Sequence, residues 1–146
     1  MKRDFAVAVK AVIIKEDKVL VLSRSQKEME ASYMNSRLKW DLPGGGLHFF
    51  ERAEEGLQRE VLEETNLHIS MEQPIALFDL IKHHVHLCIF TYACRWKAGQ
   101  VHLSPEHEAF YWLTEQEVRE SQLPHWMKRD ILRGFRVLAQ KMTENE

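Results

Sequence analysis

Residues 43–67 read PGGGLHFFERAEEGLQREVLEETNL, and the fold turns on how this stretch is parsed. From Arg52 to Thr65 the apolar residues Ala53, Leu57 and Val61 recur at i, i+4 and i+8, which draws one stripe along a helix. Asn66 stands where the chain must leave that helix, and Asn tolerates the left-handed geometry of the position after a helix end. No Ser, Thr, Asp or Asn occupies the expected N-cap, so the start is the weaker boundary. Ahead of the helix, Pro43 introduces Gly44, Gly45 and Gly46 in succession. Such a run permits backbone conformations and close approaches that side chains forbid.

The same helix carries Glu60, Glu63 and Glu64 within an arc of about 100° that borders the apolar stripe. Like charges at i, i+3 and i+4 repel by a few tenths of a kcal/mol per pair, and they crowd the helix end where the macrodipole disfavours them. Folding does not ask for this arrangement. A hard divalent cation with oxygen ligands would relieve it. A solvated acidic helix with pairs such as Arg59–Glu63 would look similar, but the glycine run beside it adds amides and carbonyls able to approach a metal or phosphate. The run is not a P-loop, because no Gly-Lys-Ser or Gly-Lys-Thr closes it.

Working outward, Phe5–Ile14 and Val19–Leu22 read as strands joined at Glu16-Asp17-Lys18, an opening hairpin. Ser23–Arg37 lacks periodicity and reads as a long loop, and Trp40–Leu42 as a short extended piece. After the helix, Ile75–Ile81 and Val85–Trp96 are strands flanking Lys82-His83-His84, and Ala109–Leu113 is a further short strand. Thr114 is placed to cap a helix over Glu115–Glu120. A last helix from about Pro124 to Met142 shows a stripe of Met127, Ile131, Phe135, Leu138 and Met142. Without repeats or a linker, residues 1–146 read as a single domain of mixed strands and helices.

Composition narrows the function classes. The 146 residues are 45% apolar and 29% charged, ordinary for a globular chain with a real core. A net charge of −2 gives no general attraction for nucleic acid, so any phosphorylated partner must be small and met by local cations. No uncharged apolar segment approaches the roughly 20 residues needed to cross a bilayer, and the start lacks a signal-peptide pattern, so a cytoplasmic location is expected. Cys88 and Cys94 on one strand would sit about 20 Å apart, too far for a disulfide, and read as buried thiols in a reducing compartment.

The glycine run and helix together resemble the Nudix signature: Gly45, Glu51, Arg59-Glu60-Val61, Glu63-Glu64, then Asn66 and Leu67. Six fixed residue types and two apolar positions would coincide by chance in such a chain roughly once in a million. The opening strand pair and the segment Glu106-His107-Glu108-Ala109-Phe110-Tyr111-Trp112-Leu113 are also similar to the family. Two departures stand out. Asn66 replaces the signature's last glycine, and Phe50, after His48 and Phe49, stands where many members have Gly before the first Glu.

The resemblance implies an α+β fold, an α/β/α sandwich with a central mixed β-sheet, of the MutT-like kind. It implies Mg²⁺, with Mn²⁺ as a substitute, held by Glu60 and Glu64, with Glu63 as a third carboxylate and the Gly44 carbonyl facing the metal. Arg59 would orient the catalytic carboxylate through its planar fork, and Glu51 would hold that network from the turn. The implied reaction is attack by water on phosphorus in a nucleoside diphosphate derivative, with the metal neutralising charge on the phosphate. The base is either Glu60 or a glutamate at 106 or 108, which could instead complete the metal site.

A nucleoside triphosphate split to monophosphate and pyrophosphate suits the short chain best. ADP-ribose, a dinucleoside polyphosphate, or a non-catalytic nucleotide-sensing domain are the alternatives. The last is disfavoured because every box carboxylate and Arg59 is kept. Arg24, Trp40, Glu106 and Glu108 are the candidate substrate contacts, with Tyr33, Phe49 and Phe50 as further aromatics able to stack on a base. A homodimer is compatible with the sequence. His83, His84 and His86 have metal-ligand spacing, but a strand with one polar face accounts for them and no fourth ligand is evident. Arg129, Arg133 and Arg136 read as the solvated face of the last helix.

Overall fold

The computed structural model describes residues 4–31 and 38–144. Its elements run β1 (Asp4–Lys15), β2 (Lys18–Arg24), α1 (Gln26–Ala31), β3 (Trp40–Asp41), β4 (Gly44–Gly46), α2 (Ala53–Thr65), β5 (His68–Lys82), β6 (Val85–Ala98), β7 (His107–Thr114), α3 (Glu115–Glu120) and α4 (His125–Glu144). The strands form one mixed sheet in the order β3-β2-β1-β6-β5, with β4 also paired to β1 and β7 to β2. Only β1 and β6 run parallel among these pairs.

Strand alternation sorts β1 between two cores. Val9, Ala11 and Ile13 face Leu57 and Val61 of α2, together with Leu20, Leu22 and Cys94. Val12 and Ile14 face Met127, Ile131 and Leu138 of α4, with Val118 of α3 and Leu123. The expected stripes of α2 and α4 are therefore buried on opposite faces, and helix–sheet–helix layering follows from a two-residue period meeting two helical ones. Truncating Leu57 or Ile131, both fully buried, would cost about 2–5 kcal/mol.

The hairpin holds β1 and β2 together only near its turn, at Ile14↔Val19 and Lys15↔Lys18. Farther along, the segment between β3 and β4 fills the gap. Trp40 and Asp41 pair with Ser23 and Leu22 of β2, while Gly44–Gly46 pair with Lys10, Val9 and Ala8 of β1. This split in the sheet is where the α2 carboxylates arrive.

Several elements differ from the sequence reading. The glycine run is a strand. Ser23 and Arg24 close β2, and Gln26–Ala31 is helical; residues 32–37, including Tyr33, lie outside the described residues. The signal for α1 was Ser25, whose Oγ accepts the Glu28 amide at 3.1 Å, a capping pattern easily passed over in a polar stretch. β5 begins at His68 because Pro74, which has no amide to donate, is accommodated at an irregular register on an edge strand. Cys94 is buried as expected, but Cys88 is only half-buried. Both are free. The side chain of Met142 lies outside the described residues.

At the helix ends, Arg52 is the N-cap of α2 without a side-chain bond, and Asn66 closes it at φ 66°, its amide reaching the Leu62 carbonyl. Thr114 and Glu117 form a complete capping box for α3. Among the described residues, no helix is long and apolar enough to cross a membrane.

Candidate active site

The backbone of β4 receives two carboxylates from α2. Gly44, at φ 139°, lies so close to β1 that a Cβ would fall 2.0 Å from the Val9 carbonyl oxygen, so only glycine fits. That approach turns the Gly44 amide toward α2, where it donates to Glu64 Oε1 at 2.9 Å. At Gly45 a Cβ would meet the Glu60 carboxylate at 2.7 Å. The glycines thus make room for the side chains one helical turn apart that the sequence singled out.

Arg59 gathers the remaining acids. Its Nε and Nη2 donate to Glu51 at 2.7 and 2.9 Å, a bidentate fork. Nη1 donates to Glu60 at 3.0 Å and to Glu63 at 3.4 Å, and Nη2 also reaches the Gly46 carbonyl. Hydrogen bonds from Arg59 and from the His48 amide hold the Glu51 carboxyl at about 2. Glu51 forms its turn although Phe50 takes φ 65°, so the replaced glycine has been absorbed as backbone strain and the local network survives.

Glu64 is 4% exposed. Burial pushes its pKa up to about 9, against the pull of Lys10 and the Gly44 amide, while Asp41 and Glu106 push the same way as burial. Ligand atoms of Glu64, Glu106 and His107 lie within 4.8 Å of one another. Glu106, exposed just before β7, is thus brought to Glu64, whereas Glu108 is exposed on β7 outside that cluster. Glu63 is largely exposed and is met by Arg59. Among the described residues, Glu60, Glu63 and Glu64 do not by themselves converge as one ligand cluster.

Three residues that the sequence reading did not single out build the floor. Lys10, Asp41 and His107 come from β1, β3 and β7. Lys10 Nζ donates to Asp41 Oδ1 at 3.0 Å and to the carbonyls of Leu42 and Gly44 at 3.2 and 3.3 Å. The Gly44 carbonyl expected to face a metal is therefore engaged by an ammonium. Burial opposes charge on both partners, yet Asp41 and Glu64 raise the pKa of Lys10, and Lys10 and His107 lower that of Asp41. His107 lies 3.0 Å from Asp41 through Nε2, and its buried Nδ1 finds no hydrogen-bond partner among the described residues. The one sequence signal was Lys10 itself, a charge interrupting an apolar strand.

The proposed substrate contacts divide. Arg24 is buried and donates to the carbonyls of Leu38 and Glu28. Trp40 packs on the α4-side core and meets Tyr111 edge-on at 5.7 Å. Phe49 and Phe50 are 88% and 97% exposed at the turn before α2.

The donor set fits a hard divalent cation: carboxylate oxygens crowded in a buried, proton-retaining environment, next to an orphaned ring nitrogen. Divalent-metal dependence is general among proteins with the fold and signature found here.

The model of the NUDIX domain matches residues 4–135. A MutT-like protein of Streptomyces ambofaciens is 29% identical over 116 residues, 79% of this chain and 68% of that protein. The crystal structure of the MutT protein from Methanosarcina mazei Go1 superposes with a TM-score of 0.73 at 25% identity, over 93% of this chain and 96% of that one. A C. elegans Ap4A hydrolase shares the fold, with a TM-score of 0.72 at 16% identity over 92% of this chain and 98% of that one. The glycine strand, the Arg59 network and a domain match spanning nearly all of the chain place it in the Nudix family, hydrolases of phosphoanhydrides in nucleoside diphosphate derivatives.

Proposed function

We propose that residues 1–146 act as one domain that hydrolyses a nucleoside triphosphate to its monophosphate and pyrophosphate, with Mg²⁺ as the natural ion and Mn²⁺ as a substitute. The observation that carries this reading is the buried Glu64, held by the Gly44 amide within reach of Glu106 and His107. Glu60 and Glu64 would hold the ion, with Glu106, clustered with Glu64, a better placed third carboxylate than Glu63. When bound, the ion supplies positive charge against the phosphate oxygens and acidity to a coordinated water.

The chain's own residues do the rest. Arg59 fixes the rotamers of Glu51 and Glu60, so that a carboxylate faces the reacting water without having to reorganise. Glu60, paired with that guanidinium, can take the water's proton, and Glu106 is the other candidate. Lys10 neutralises Asp41 and sits against the Gly44 carbonyl, which lessens the negative charge of the floor on which a polyphosphate would lie. The exposed Phe49 and Phe50 offer flat apolar surface to a base at the rim.

The test is metal-dependent phosphate release across a panel of common and oxidised nucleoside triphosphates, ADP-ribose, sugar nucleotides and dinucleoside polyphosphates, with a coupling pyrophosphatase. Turnover of a triphosphate that falls more than a hundredfold in Glu64→Gln, with the fold retained, supports the reading. Near-normal turnover of that variant under saturating Mg²⁺, or turnover confined to another class, overturns it.

A further inference from the structure

We propose that Asp79, His86 and Cys88 form a binding site for a zinc-class divalent ion on the β5–β6 hairpin, sharing no residue with the α2 carboxylates. Register brings them together. Asp79 lies directly opposite Cys88, and Ile81 opposite His86, so all three chemistry-bearing side chains project from one face of the sheet. His86 Nε2 is 3.0 Å from Asp79 Oδ1, Cys88 Sγ is 3.1 Å from the same oxygen, and Sγ is 3.7 Å from Nε2.

The triangle is close to the size of a zinc site, its two edges to Asp79 drawn in by the hydrogen bonds that now span them. With Zn–O and Zn–N near 2.0–2.1 Å and Zn–S near 2.3 Å, tetrahedral geometry sets the O–N, O–S and N–S edges at about 3.3, 3.5 and 3.6 Å. The observed edges follow the same order. A catalytic relay is the other use of Cys, His and Asp, but it requires the acid and the thiol on opposite ring nitrogens. Here both approach Nε2, so the ring cannot pass a proton between them.

Ligand chemistry selects the ion. A thiolate and an imidazole are poor partners for Mg²⁺ and good ones for zinc. One carboxylate, one thiolate and a neutral imidazole would cancel the charge of a divalent ion. Binding releases the thiol proton to solvent, since only the thiolate ligates. Phe5 meets the His86 ring edge-on at 5.1 Å and limits its rotation, which lowers the entropy lost on ligation. His83 and His84, the other two histidines of the sequence pattern, lie in the turn. His84 Nε2 approaches Asp4 at 3.8 Å. With three protein ligands among the described residues, one coordination position is left to water.

The experiment uses the chelator-stripped full chain in excess Mg²⁺, which occupies the nucleotide site, titrated with Co²⁺ and then with Zn²⁺ in competition. The expected result is one equivalent of Co²⁺ with a near-ultraviolet thiolate-to-cobalt charge-transfer band, displaced by Zn²⁺. Cys88→Ser should abolish the band and weaken Zn²⁺ binding at least tenfold. His86→Gln should change the visible cobalt bands, and Cys94→Ala should leave the titration unaltered. All three ligands are at least partly exposed, so circular dichroism of the variants should match the parent. No band in the parent chain, a band that survives Cys88→Ser, or Zn²⁺ uptake removed by Glu64→Gln but not by Cys88→Ser would overturn the assignment.

Discussion

The Gly44 amide donates to Glu64 Oε1 at 2.9 Å, tying the first residue of the glycine strand to the last carboxylate of the helix signature. The bond orients a carboxylate that the surroundings otherwise disfavour in its charged form. Burial raises its pKa from 4.5 to about 9. The folded protein therefore keeps a proton that the unfolded chain releases above pH 4.5, and stability falls as pH rises from about 4.5 toward 9. Gln imitates the protonated state and still accepts from Gly44. In chelator, Glu64→Gln should match the parent at pH 4 and exceed it by on the order of a few kcal/mol at pH 8, read by denaturant midpoints. Added Mg²⁺ should raise the melting temperature of the parent at pH 8 and not that of the variant. A variant less stable than the parent at pH 8 would show that Glu64 is not held at a cost.

Arg59 meets Glu51 through two nitrogens and Glu60 through a third, a geometry an ammonium cannot copy. Arg59→Lys should keep charge and fold but lose about tenfold to a hundredfold in turnover, with a smaller change in KM. The Glu51 carboxyl, held at about 2, should rise toward the ordinary carboxylate range when followed by NMR titration. The Glu51 pairing supports the fold above pH 4.5 and fades as pH falls toward 2, so the parent should lose this contribution in acid and the variant should have less to lose. Unchanged turnover in Arg59→Lys would reduce Arg59 to a surface counter-charge.

What the sequence disclosed, and what it hid, divides by distance along the chain. The stripe Ala53–Leu57–Val61, the Asn66 exit and the Thr114 cap are local patterns, each set by one helix's own geometry, and each is found in place. The acid cluster on α2 was visible for the same reason. Lys10, Asp41 and His107 meet only because β1, β3 and β7 surround one split in the sheet, and no spacing within a single segment announces it. Likewise His86 gained Asp79 from the opposite strand and Cys88 from two positions along its own. The sequence offered His83 and His84 instead, which lie in the turn, His84 beside Asp4.

Phe50 occupies φ 65°, is 97% exposed and touches Phe49 at a ring distance of 4.9 Å. A bulky residue in the left-handed region costs roughly 1–2 kcal/mol, and little burial offsets it. Phe50→Gly relieves the strain while enlarging the unfolded ensemble, so a net gain of roughly 1 kcal/mol and a few degrees in melting temperature is expected. Phe50→Ala keeps the Cβ and should gain nothing. If Phe50→Gly also raises KM for nucleotides without changing kcat, the ring is retained for base contact at the expense of stability. If it melts lower than the parent, the turn draws support from the ring.

Glu106 and Glu108 stand two residues apart and look equivalent in the sequence. β7 separates them. The bulge where Arg24 pairs with His107 leaves Glu106 within 4.8 Å of Glu64 and His107, whereas Glu108 belongs to no such cluster. Removing a carboxylate from beside a buried one changes both the affinity for a cation and the proton held by its neighbour; removing a solvated one changes neither. Glu106→Gln should therefore raise the Mg²⁺ concentration needed for half-maximal rate, or cut kcat, by tenfold or more. If Glu106 is the base, kcat falls and the acidic limb of the rate profile disappears at saturating Mg²⁺; if it is a ligand, excess Mg²⁺ restores the rate. Glu108→Gln should stay within twofold of the parent in both measurements. Equal losses in the two variants would mean that the register of β7, and not proximity to Glu64, is what either glutamate supports.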